Sequence, residues 1–110
     1  MILRNWKGIA KKEYEEKYIN HLLYNTFPKL SKINGFIDAK IFRRPTGKGI
    51  EFLILTSWET IDAIKNFAGE RINTAVVPKE VQEMMVDYDK DVIHYELVKN
   101  YSAEKNINTY

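Results

Sequence analysis

Residues 51–58, EFLILTSW, constrain this chain more than any other stretch. Phe52 to Leu55 is apolar at four successive positions. Side chains in a strand alternate between faces, so a strand here needs cover on both sides. The strand ends at Trp58. About two residues later a helical pattern starts near Thr60, with Ile61, Ile64, Phe67 and Ala68 as its inner stripe. Thr60 suits an N-cap, Asp62 the positive helix end and Gly69 the stop.

The remaining segments supply the cover. Residues 2–9 read as a first strand, with Leu3, Asn5 and Lys7 on one face and Ile2, Arg4 and Trp6 on the other. Residues 11–33 read as a long helix whose stripe is Tyr18, Ile19, Leu22, Leu23, Leu30 and Ile33. Tyr14 and Phe27 lie at its edges, and His21 falls opposite, on the solvated side. Pro28 should kink or split this helix, and Asn34-Gly35 should end it. Residues 36–44 form a second strand, with Ile37, Ala39 and Ile41 sharing a face. The turn cluster Pro45 to Gly49 then makes a hairpin with the third strand. Pro78 opens a short helix with Val81, Met84 and Met85 inward, and a last strand runs from about Val86 to Val98.

The order strand, helix, strand, strand, helix, short helix, strand is the split βαβ, ferredoxin-like arrangement. It predicts an α+β chain with helices on one face of an antiparallel sheet. The other face also carries apolar residues, and a second copy of the sheet is its simplest cover. The expected assembly is a homodimer. Residues 1–98 form the domain and 99–110 a polar tail.

At 110 residues, one core holding roughly 65% of the unfolded surface is within reach. A net charge of +2 gives no reason to expect nucleic acid or a membrane surface as partner. The absence of cysteine removes disulfides, thiol catalysis and thiolate metal sites. Arg4 and Lys7 interrupt the N-terminal apolar residues, so a signal-peptide core is missing and the cytoplasm is the expected compartment. Asp87 to Asp91 begins like a calcium loop but has Val92 where glycine is required and Val98 where the bidentate glutamate belongs. Gly47 and Gly49 sit in a hairpin rather than before a helix, which argues against a phosphate loop.

Three stretches carry a family likeness: Gly35-Phe36 before the second strand, LTSWETIDAIKNFAGE at 55–70 and VIHYELV at 92–98. With them, roughly residues 2–98 resemble the antibiotic biosynthesis monooxygenase domain family, with its dimeric α+β barrel. The resemblance implies oxygenation of a small aromatic or quinol by O2 with no metal or flavin. Such a site needs an apolar aromatic cavity and a few groups for an oxyanion. By position, Tyr14, Tyr18, Trp58 and Phe67 are the expected lining, and Asn5 and His94 the expected catalytic groups. Histidine is the usual proton shuttle near neutral pH. Each has a plainer reading: Trp58 and Phe67 as core, Asn5 at a surface-facing or edge position, His94 at an interface. A haem-degrading branch of the same superfamily uses a strand-one Asn, a Trp on the second helix and a His soon after. Asn5 could match the first, but Phe67 holds the helix position and no histidine lies between His21 and His94. Two alternatives stay open: a non-catalytic dimeric module binding a hydrophobic small molecule, and a structural dimer whose cavity is filled by core.

Overall fold

The structure, a computed structural model, describes residues 1–104. Strand β1 (Ile2–Ala10) lies inside the sheet, antiparallel to β3 (Ile50–Trp58) from Ile2 opposite Trp58 to Ala10 opposite Ile50. Strand β2 (Phe36–Pro45) pairs with the other edge of β3. On the free side of β1 lie β4 (Met85–Tyr88) and β5 (Ile93–Glu96), both antiparallel to it. The result is a five-stranded antiparallel sheet in an α+β, ferredoxin-like order.

The last strand is therefore two strands where one is expected. Gly8 pairs with Tyr88 and Asn5 with Ile93, so three steps along β1 (8 − 5) face five along its partner (93 − 88). The two extra residues force 89–92 out of the ladder. Their backbone groups are met elsewhere. Ala75 N donates to Lys90 O and Val92 N to Asn73 O, each at 2.8 Å, and Thr74 bridges Asp91. This excursion pins the 71–78 loop beside the sheet.

The first helical stretch opens with a 3-10 turn (Lys12–Tyr14), continues as α1 (Glu15–His21), widens into a π segment (Leu22–Thr26) and closes as α2 (Phe27–Leu30). Proline has no N–H and crowds the carbonyl four residues back. The π segment ahead of Pro28 absorbs that: Phe27 N donates to Leu22 O, a five-residue step. The helix is split as Pro28 predicts. The helix ends at Leu30, capped by Ser31, earlier than the stop expected at Asn34-Gly35; turns lead on to Gly35, at φ 96°, whose carbonyl accepts from Glu59 N at 2.8 Å. Helix α3 (Ile61–Ala68) is capped as expected, with Thr60 Oγ1 accepting from Ala63 N at 3.1 Å. Helix α4 (Lys79–Met84) follows Pro78 and buries Val81 and Met84, while buried Met85 opens β4.

Alternation places Ile2, Arg4, Trp6, Gly8 and Ala10 of β1, and Phe52, Ile54, Thr56 and Trp58 of β3, toward the helices. The core divides along this face. One cluster gathers Tyr18, Leu22, Phe52, Ile54, Val81 and Met84, and the other Leu30, Trp58, Ala63 and Ile64. One strand-face expectation is corrected. Ile37 does not share a face with Ala39 and Ile41. Phe36 pairs with Trp58 but Asp38 with Ser57, so Ile37 is the extra residue of a bulge and stands 44% exposed. The two faces of β3 are also unequal, since Leu53 and Leu55 are only half-covered in the single chain. Residues 99–104 form no regular element, and the rest of the expected tail, 105–110, lies outside the described residues. No described helix is long and apolar enough to cross a membrane.

Candidate functional site

Between the helical layer and the sheet lies a cavity of about 380 Å³. Its walls come from four places. The sheet gives Arg4, Trp6, Ile54 and Thr56, and the first helical stretch gives Tyr18, His21, Leu22, Asn25, Phe27 and Leu30. Phe67 closes one end, and Val76, Pro78, Glu80 and Val81 close the flank. A largely apolar space with a few polar groups is what a small-molecule site requires.

Its aromatic walls are held in register by packing. Tyr18 meets Phe52 edge-on at 4.9 Å between centroids and lies 6.4 Å from Trp6. Trp6 is fixed in turn by donating Nε1–H to Asp89 O at 2.8 Å, a carbonyl of the strand excursion. Tyr18 is buried, and burial pushes its phenol up from the ordinary value, so it stays protonated as a donor. No described residue is hydrogen-bonded to that hydroxyl, and no fully buried side-chain polar atom lacks a partner. The hydroxyl therefore touches open space.

Phe67 stacks on Trp58, 6.0 Å apart at 20°, and the Arg4 guanidinium sits 5.6 Å above the Phe67 ring. Indole, phenyl and guanidinium thus form three layers, of which Phe67 and Arg4 face the cavity. Trp58 is fully buried behind them. Its Nε1–H donates to Thr56 Oγ1 at 2.9 Å, so its polar group is spent inside the wall. Of the four expected lining residues, Tyr18 and Phe67 line the cavity and Trp58 backs it. Tyr14 packs at the edge of the core, with the Lys11 and Lys17 ammonium groups over its ring, and does not reach the cavity.

The two expected catalytic residues are placed differently from the expectation. Asn5 has the opposite parity to Arg4 and Trp6, so it lies on the outer face of the sheet, between Leu55 and Ile93. It does not line the cavity. His94 pairs with Arg4 across the strands, and its Nε2 accepts from Arg4 Nη1 at 2.9 Å. Its other nitrogen, Nδ1, carries the proton and faces Asn73 Oδ1 at 3.3 Å. Burial first, then the charge of Arg4, lowers the His94 pKa from its ordinary value. Its free lone pair is therefore committed to Arg4, and His94 orients that group instead of reaching the cavity.

Two residues at the cavity were missed. Arg4 is 5% exposed, and burial lowers its pKa to about 10, which leaves it charged at neutral pH. His21 was expected in solvent. Its side chain is 9% exposed, with Nδ1 3.8 Å from Glu80 Oε1. The helical wheel placed it correctly relative to its own helix. The flank it occupies is covered by α4, which no periodicity within residues 11–33 can reveal. An apolar stripe on α4, Val81 and Met84, was the available signal that a second helix packs nearby.

Compared by sequence, the chain matches no family model and no curated protein. Its fold does match solved structures. A candidate antibiotic biosynthesis monooxygenase from Bacillus cereus aligns over 96% of this chain and 98% of its own, at TM-score 0.64 and 17% identity. A monooxygenase from Streptomyces coelicolor, solved with nanaomycin D, aligns over 94% and 92%, at TM-score 0.67 and 10% identity. The haem-degrader of Mycobacterium tuberculosis, solved with two haems, aligns over 93% and 100%, at TM-score 0.58 and 12% identity. The residues here do not fit the haem pattern: Asn5 lies on the wrong face of the sheet, and Phe67 stands where that pattern calls for Trp. What these structures share with this chain, at 10–17% identity, is the α+β ferredoxin-like fold of antibiotic biosynthesis monooxygenases.

Proposed function

We propose that the chain is a monooxygenase-like enzyme that oxidises a small aromatic or quinol with O2, as a homodimer and without metal or flavin. The observation that carries this reading is the apolar cavity of about 380 Å³ with a histidine–carboxylate pair and a cation in its walls. His21 takes the role of base in place of Asn5 or His94. Its Nε2 has no partner among the described residues, and Glu80 Oε1 stands 3.8 Å from Nδ1, where it can orient the ring.

For an anthrone the steps balance without an added reductant. His21 removes one proton from the ring CH2. The carbanion gives one electron to O2, and the radical pair joins as a C–O bond, leaving a hydroperoxide. Loss of the second C–H proton breaks the O–O bond, giving C=O in the product and the other oxygen as water. Tyr18 and Phe67 in the walls offer the ring aromatic contact.

The test is oxygen uptake and quinone absorbance with a series of anthrones and quinols under air. Uptake above buffer is expected for at least one, and His21→Ala lowers its rate by about 10²–10⁴-fold while binding changes little. No uptake with any member of the series overturns the reading.

A further inference from the structure

We propose that Arg4 is a seat for a carboxylate, so that the ligand of this cavity is an aromatic acid. This rests on the cavity being the ligand site, as argued above, and names the class of molecule it takes.

A guanidinium has five N–H groups. Arg4 Nη1 donates to Ile72 O at 2.6 Å and to His94 Nε2 at 2.9 Å, and Nη2 donates to Thr74 O at 3.1 Å. That leaves Nε–H and one N–H of Nη2 with no acceptor among the described residues. Since no fully buried side-chain polar atom lacks a partner, Nε touches open space, and the space beside Arg4 is the cavity it lines.

The charge is also uncompensated. Every partner of Arg4 is neutral, and no carboxylate of the described residues pairs with it. Burying a cation without a counter-ion is costly, and it persists where surrounding structure holds it. Here the holding parts are the 72–74 carbonyls, the Phe67 face and His94. A neutral donor could bond the same carbonyls without that cost, so loop attachment alone does not explain the charge. An incoming carboxylate supplies the missing negative charge and accepts from the two free N–H groups. The other charged lining groups, Lys29 and Glu80, come from α2 and α4 and not from the sheet that carries Arg4.

The experiment is calorimetric titration under nitrogen, where no turnover occurs, of 2-naphthoate against its neutral isostere 2-naphthamide. Wild type binds the acid at least tenfold more tightly than the amide. Arg4→Met brings the ratio to within threefold of one, and Arg4→Lys, which keeps charge without the fork, falls between. If Arg4→Met does not fold, the wild-type ratio and Arg4→Lys decide. Equal affinities in wild type overturn the carboxylate seat and leave the cavity reading standing. A ratio that survives Arg4→Met overturns it in favour of another cation, Lys29 being the other one in the lining. Binding of neither probe overturns this inference together with the cavity as a ligand site.

Discussion

Arg4 and His94 show how two side chains on neighbouring strands acquire properties that neither has alone. The pairing of β1 with β5 sets them opposite each other, and the Arg4 Nη1–H then occupies the Nε2 lone pair of His94. Protonating that nitrogen removes the acceptor and puts two cations together. The His94 pKa is accordingly lowered, by burial first and by Arg4 second. Such a histidine binds a proton more readily in the unfolded chain. Its stabilising contribution is present above the unfolded value, near 6.5, and is lost as pH falls through the folded one. The melting temperature should therefore fall between pH 7 and pH 5, and His94→Gln, which keeps an acceptor, should flatten that slope. Equal slopes in the two proteins would show that His94 is not the group responsible. The sequence put His94 and Arg4 on strand faces but could not show that they meet. Their contact needs the register of two strands separated by 90 positions.

Elements are more legible than residues in this chain, because their signals are local. The Thr60 cap and Pro28 each act within a turn of their own position, and each does what its chemistry predicts. Gly35 serves the turn into β2 instead of the helix end. Its φ of 96° is one that a side chain resists, and a Cβ there would stand 2.5 Å from the Cβ of Ala63. Gly35→Ala should thus cost about 2–4 kcal/mol, combining the positive φ with overpacking against α3. Thermal unfolding should register it as a drop of about 8–16 °C. Gly47→Ala, with nothing within 4 Å, is the matched control and should shift the midpoint by under about 2 °C. A small drop at Gly35 would mean that α3 gives way, and with it the Phe67 wall. What the local signals miss are the bulges. Ile37 follows the alternation expected of a strand and residues 89–92 fall inside the expected last strand, yet extra residues there are settled by pairing with β3 and with the 73–75 loop.

At the scale of the whole molecule, the unresolved physical question is the outer face of the sheet. Leu3, Leu53, Leu55, Phe42, Ile93 and Tyr95 share it by register, and Phe42, Ile93 and Tyr95 are about half exposed or more. A contiguous apolar face of this kind is unusual on a monomer. The sequence indicated it through the two-sided apolar run of β3, and the structure covers only one side of that run. The proposed homodimer covers the other, with Asn5 and Lys40 among the apolar groups where they can bond across a two-fold axis. Ile93 is the informative position. At 55% exposure it contributes little to the fold of one chain, so Ile93→Asp should leave the far-ultraviolet dichroism unchanged. In a dimer the same change loses about 2 kcal/mol of burial and adds an unpaired carboxylate, enough to weaken association at least tenfold. Sedimentation should find wild type at twice the 13.0 kDa chain mass and Ile93→Asp shifted toward the single chain. A wild type that sediments at the single-chain mass would leave this face open to water. The homodimer would then be lost, while the cavity behind the sheet, built from one chain, would stand.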